Sequence, residues 1–234
     1  MGRAALQHVL VDQFGDDAAT VQPGQVMSTD HLRALTLDPV FMTRIAAIHA
    51  LGDIWAMGAA PQAATASLIL PRMSAALQER TMSEIMTTAA AVFAQAGGKI
   101  IGGHSSLGAE LTIGFTVTGL TKSPITLAGA KPGDKIILTK PIGSGTIMAA
   151  EMSGKAKGAD VIACLELMVQ DQAKASQILG EAHAMTDVTG FGLAGHLRGI
   201  CDASGAGAAL RLADIPVMQG AARLSEQGIR STLY

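Results

Sequence analysis

Aromatic side chains are scarce. Five phenylalanines, one tyrosine and one tryptophan make up 3% of the 234 residues. Any core must therefore rest on aliphatic side chains and on the 12 methionines. Cysteine is rarer still. Cys164 and Cys201 are too few for a disulfide framework, and their apolar, helix-like surroundings mark both as small buried hydrophobes. No cysteine–histidine cluster points to zinc. Charged residues are only 15% of the chain, the net charge is -2, and there is no long basic run. That argues against a nucleic-acid footprint and against a polybasic membrane surface. No apolar run reaches the roughly 18 residues of a membrane span. The longest, 56–70, is interrupted by Gly58, Pro61, Gln62, Thr65 and Ser67. No signal-peptide pattern opens the chain and no fixed-period repeat runs through it. The expectation is a soluble cytoplasmic protein that binds neither nucleic acid nor membrane.

What the chain has is 49% hydrophobic residues, enough for a sizeable core in one large domain or two modest ones. Residues 45–58 read as an apolar helix carrying one acid, Asp53, and one histidine, His49. Phe41, Ile45, Ile48 and Trp55 recur on one face, and Met42, Ala46, His49, Asp53 and Met57 on another. A helix apolar on two sides is buried. An ionised acid on it needs a partner or a cation, because leaving it bare costs several kcal/mol, by a rough estimate. Asp53 also lies toward the helix's C-terminal end, where the dipole disfavours negative charge.

Before this helix, the sequence predicts two short strands around Pro23-Gly24. Asp38 and Pro39 suit its cap and first turn, and Gly58 with Pro61 its stop. A strand is expected over 63–70, a helix over 74–96, a break at 102–106, and an alternating strand whose face is Leu111, Ile113, Phe115 and Val117. Residues 121–130 read as a linker. A second unit then offers a strand at 135–139, a loop at 141–145 with a short helix to Met152, a longer helix over 160–179, a helix to Cys201, a strand at 208–212 and a helical piece from Gly220. Hairpin-like pairs among helices favour an α+β fold over a doubly wound parallel sheet.

Several stretches are candidates for chemistry, each with a plainer alternative. Gly190-Phe191-Gly192-Leu193-Ala194-Gly195 matches a dinucleotide fingerprint but lacks the buried strand that should precede it. It reads better as a glycine-rich helix start with Asp187 held just before it. Gly143-Ser144-Gly145 lacks a Walker A ending, so a strand-to-helix turn is preferred to a phosphate loop. Gly102-Gly103-His104-Ser105 suits either a tight turn or a backbone cradle for polyphosphate. Asp16-Asp17 reads locally as a solvated turn and Asp30 as a turn or cap acid. His49 is expected to hydrogen-bond within the core or to a ligand rather than ligate metal. As a set, Asp16, Asp17, Asp30, Asp53 and Asp187 fit Mg²⁺, which is held by one or two carboxylates plus substrate phosphates. Carboxylates without a nucleophile motif fit phosphoryl transfer.

Gly15-Asp16-Asp17-Ala18-Ala19, Ser28-Thr29-Asp30, 45–58, 102–105, 116–119, Lys140-Pro141-Ile142-Gly143-Ser144-Gly145 and 185–196, in this order, resemble selenophosphate synthetase, or selenide, water dikinase. That family belongs to the aminoimidazole ribonucleotide synthetase-like superfamily. The resemblance implies a two-half fold: an ATP-binding N-terminal domain over 1–122, with a mixed sheet that dimerises, and an incomplete C-terminal domain over 123–234. It implies that ATP, selenide and water give selenophosphate, AMP and phosphate. By family pattern, Asp17, Asp53 and Asp187 match Mg²⁺ ligands, and Gly15, Asp16, Asp30, Asp53, Gly103, His104 and Ser105 match nucleotide-binding positions. The family's N-terminal segment bearing a catalytic cysteine or selenocysteine and a lysine has no match here. The expectation is thus an inactive fragment without a catalytic residue of its own, with local wording closest to members fused behind a dehydrogenase-like domain. The acidic loop that usually follows Gly-Gly-His is replaced by 106–110. Two alternatives stay open: another ATP-using kinase or synthetase of the superfamily, or a non-catalytic nucleotide-binding dimerisation module.

Overall fold

Short β-branched and alternating runs separated by glycine turns build one five-stranded sheet, and the aliphatic helices cover one of its faces. The computed structural model describes residues 15–232; the apolar stretch 9–11 lies outside them. Strands β1 (Ala19–Gln22) and β2 (Gln25–Arg33) form a hairpin through the Pro23-Gly24 turn, where Gly24 takes φ +87°. Helix α1 (Pro39–Ala56) follows, then β3 (Ala60–Pro71), α2 (Ala75–Gln95), β4 (Lys99–Gly108) and β5 (Thr112–Leu120). The strand order is β1-β2-β5-β3-β4. β3 and β4 are parallel, joined through α2, and the other pairs are antiparallel. The fold is α+β, as the mixture of hairpins and helices predicts.

The residue pattern accounts for each piece. Asp38 caps α1 by accepting from the Val40 and Phe41 N–H groups at 2.8 and 3.0 Å, and Pro39 occupies the first turn. Ala64, Ala66, Leu68 and Leu70 on β3, and Ile113, Phe115 and Val117 on β5, face inward at period two. They meet Met42, Ala46, Leu51 and Ile54 of α1 and Ile85, Ala89 and Phe93 of α2. The Phe93 and Phe115 rings pack with centroids 5.1 Å apart. Within α1 only Arg44 is exposed, so the helix is buried almost all round, as its two apolar faces require.

The second half is helical: α3 (Ser144–Met152), α4 (Gly158–Met168), α5 (Ala173–Ile178), α6 (Gly192–Ser204) and α7 (Ala221–Glu226). A smaller core joins Ile147, Met148, Ala150, Val161, Cys164, Ala221 and Leu224. Arg223 reaches the buried Asp160 at 2.9 Å and ties α7 to α4.

Five sequence expectations need correction. The stretch 102–106 is not a break: it lies within β4, because pairing with β3 overrides its weak strand propensity. The long helix expected over 160–179 is two. Lys140 donates from Nζ to the carbonyls of Leu167, at 3.2 Å, and Gln170, ending α4 with a positive charge. Asp171 then accepts from the Ala173 N–H at 3.1 Å to start α5. Burial pushes the Lys140 ammonium below its ordinary pKa, yet its carbonyl contacts suit the charged form. The segments 135–139 and 208–212 are not strands. Among the described residues neither finds a ladder, and Ile137 and Leu212 stay exposed; an isolated extended segment is not a stable strand. The one pairing beside them is a parallel bridge between Ile142 and Val217. Finally, Cys164 is buried as expected but Cys201 is only partly so.

Candidate functional site

On β2 the inward-facing row is Val26, Ser28, Asp30 and Leu32. It lies under α1, whose His49 and Asp53 share a face at four-residue spacing. The Ser28 hydroxyl donates to Asp53 Oδ2, and His49 Nε2 lies 3.6 Å from Asp30 Oδ2. The chain before β1 brings Asp17 to the same end of α1. The chain before α6 brings Asp187 from the second half. Asp187 packs beside Gly52: a Cβ placed there would lie 3.6 Å from its Oδ2. Thr186 donates to Asp17 Oδ1 at 3.0 Å, so the halves meet across the cluster. His196 of α6 lies with Nδ1 3.9 Å from Asp187 Oδ1.

These acids share too little water and too much like charge to ionise freely. Burial, then Asp187, pushes the Asp17 carboxyl up to about 7, against a hydrogen bond from Thr186. Asp53 is raised by burial and by Asp187 and Asp30. Asp187 is raised by burial, opposed by His196 and His49. Burial pushes the His196 imidazole down. No lysine or arginine among the described residues pairs with Asp17, Asp30, Asp53 or Asp187. Asp17 Oδ2 is a buried oxygen with no hydrogen-bond partner. Ligand atoms of Asp17, Asp187 and His196 lie within 4.8 Å of one another. An orphaned carboxylate oxygen among crowded acids is what a divalent cation satisfies, and hard oxygen donors suit Mg²⁺ or Mn²⁺.

The remaining sequence-derived candidates fall elsewhere. Gly15 sits at the entry turn with φ +140°. Asp16 Oδ1 accepts from the Leu127 N–H at 2.9 Å, and its like charge adds to the raising of Asp17. Gly103, His104 and Ser105 lie exposed on edge strand β4. Two strands separate β4 from β2, so they stand about 14 Å from it at ordinary strand spacing and do not join the acids within one chain. Gly103 is required by packing: a Cβ there would collide with the Ala66 backbone. Ser28, Thr186 and His196 were not singled out as site residues from sequence, whereas His49 was expected to hydrogen-bond. Period two from Asp30 finds Ser28, and a four-residue step from Asp53 finds His49. Nothing local marks Thr186 or His196.

Residues 15–121 match the family model described as AIR synthase related protein, N-terminal domain, and residues 131–230 match that of the C-terminal domain. A selenide, water dikinase of Pasteurella multocida (strain Pm70) is 37% identical over 231 residues, covering 94% of this chain and 65% of the relative. One of Nitratidesulfovibrio vulgaris (strain DSM 19637 / Miyazaki F) is 36% identical over 229 residues, covering 93% and 64%. The chain thus spans slightly less than two thirds of these relatives. Among solved structures, AaThiL complexed with AMPPCP and TMP superposes with a TM-score of 0.82 at 18% identity, covering 98% of this chain and 78% of the other.

Proposed function

This chain belongs to the AIR synthase related family, and from that premise we propose that it is the Mg-ATP-binding core of a selenide, water dikinase, which turns ATP, selenide and water into selenophosphate, AMP and phosphate in the cytoplasm. The relatives bearing that name support the reaction. The observation that carries the site is the acid cluster built from both halves, with Asp17 Oδ2 buried and unpartnered. Asp17, Asp53 and Asp187 would hold Mg²⁺, which when bound supplies charge neutralisation for phosphate oxygens.

The chain's own groups serve that role in distinct ways. Ser28 fixes the rotamer of Asp53 by donating to one of its oxygens. His49 faces Asp30 of β2 at 3.6 Å and lowers the cost of charging Asp187. Asp16 braces the linker against the first half. AaThiL complexed with AMPPCP shares this fold, which is consistent with a nucleotide bound here. Gly103, His104 and Ser105, exposed on β4, are proposed nucleotide contacts only in a homodimer, where the edge of the sheet meets a second copy.

The test is product analysis. With ATP, Mg²⁺ and selenide, ³¹P spectra of the full-length protein should show AMP, phosphate and a selenium-bound phosphorus, all dependent on selenide. ADP as the sole nucleotide product, formed whether or not selenide is present, would overturn the proposal in favour of a small-molecule kinase.

A further inference from the structure

His196 stands next to the acids, but its two ring nitrogens are already committed. The Thr189 backbone N–H donates to Nε2 at 3.1 Å, and the Thr189 hydroxyl lies 3.2 Å from the same atom. A backbone N–H can only donate, so Nε2 holds a lone pair toward it and, in the neutral ring, the proton is on Nδ1. Nδ1 in turn faces Thr186 Oγ1 at 3.3 Å. That hydroxyl has one proton and two acceptors at 3.0 Å, Asp17 Oδ1 and the Asp187 carbonyl. An ionised carboxylate is the stronger acceptor. With Oδ1 so engaged, Oδ2 of Asp17 is the oxygen left without a protein partner.

We propose that His196 and Thr186 form a positioning relay, running from the Thr189 N–H through the imidazole and the hydroxyl to Asp17 Oδ1, that fixes the Asp17 carboxylate with Oδ2 as the cation's ligand atom. His196 is a positioning residue and not a ligand, because Nδ1 carries the proton and Nε2 is taken by the backbone. The relay rests on the metal-site reading given above. It has a geometric consequence: the first half supplies the ligand, and the second half sets which of its oxygens is free. Partners that orient a ligating group in this way are typically worth roughly 10- to 100-fold in metal affinity.

Mn²⁺ titration followed by electron paramagnetic resonance tests the relay without any turnover, on the wild type and on variants whose melting temperatures match it. Thr186→Ser keeps the hydroxyl and should bind within a few-fold of wild type, whereas Thr186→Val should weaken Mn²⁺ roughly 10- to 100-fold. His196→Asn, which keeps a donor and an acceptor, should bind more tightly than His196→Leu. Nitrogen-15 correlation spectra of the metal-free wild type should show His196 with Nδ1 protonated and Nε2 bare. Thr186→Val binding as tightly as wild type would overturn the relay alone. So would a ring protonated on Nε2, or a loss in His196→Asn as large as in His196→Leu that changes the Mn²⁺ over Mg²⁺ preference, the mark of a direct ligand. A wild type that binds no Mn²⁺ would overturn the metal site itself and the relay with it.

Discussion

Asp17, Asp53 and Asp187 are the residues whose energetics depend most on what else is bound. Without a cation each carboxyl is raised by burial and by its neighbours. A raised carboxyl holds in the folded state a proton that it gives up in the unfolded chain. Its contribution to stability is therefore complete below the unfolded pKa, near 4, and is lost as pH rises through the folded value, about 7 for Asp17. His196, lowered by burial, acts in the opposite direction below about pH 6.5, so the clean window is pH 6.5 to 8. In chelator, the melting temperature should fall by a few degrees across that window, and Asp53→Asn should flatten the fall. At pH 8 that variant should be more stable than the cation-free wild type by about 1–2 kcal/mol, because an amide removes the cost of neutralising on folding a carboxyl that the unfolded chain holds ionised. A wild-type melting temperature that rises over the window in scanning calorimetry would contradict the assignment. From sequence, Asp53 was expected to need a partner or a cation, since it is an acid on a helix apolar on two sides; the structure supplies the Ser28 hydroxyl and a raised carboxyl. It did not show Thr186 or His196, because their roles depend on where a distant loop lands and not on any period within it.

At the scale of elements, the first half was legible and the second only partly. Local signals agreed with the fold in α1, α2, β3 and β5: Asp38 with Pro39, period two on Ile113, Phe115 and Val117, and the expected helix start at 74, where the structure shows the Ser74 Oγ accepting from the Leu77 N–H at 3.4 Å. The errors arose where a distant partner decides. Lys140 lies 27 positions before Leu167 yet helps end α4, and no window around 168 contains it. Residues 102–106 look like a turn until β3 pairs with them. Strand β4 is also where assembly is expected to act. It is an edge strand exposed along almost its whole length, with Ile101 63% and Leu107 53% accessible, and such an edge invites pairing with another chain. We predict a homodimer joined through β4. Light scattering should give twice the chain mass for the wild type and the monomer mass for an Ile101→Lys variant of unchanged circular dichroism. An Ile101→Lys protein that stays dimeric would place the interface elsewhere.

The whole molecule is held in one arrangement by a few polar ties between its halves. Ser176 donates to the Trp55 carbonyl at 2.7 Å in a buried setting, Asp16 accepts from Leu127, and Thr186 donates to Asp17. Neither half contains a complete set of acids: Asp17, Asp30 and Asp53 come from the first and Asp187 from the second. On the proposed reading, a cation held with ATP phosphates would also fasten the two halves together; of the family motifs, those carrying Asp17, Asp30, Asp53 and Asp187 meet at this place, whereas 102–105 lies apart on β4. The most direct measurement is isothermal calorimetry of Mg-ATP at pH 7.5 on the wild type and on Asp53→Asn, in two buffers of different ionisation enthalpy. The wild type should bind in a Mg²⁺-dependent way with net proton release, as raised carboxyls ionise around the cation, and Asp53→Asn should bind about tenfold more weakly or worse. Equal affinity in both proteins, or ATP binding by the wild type that is indifferent to Mg²⁺, would contradict it.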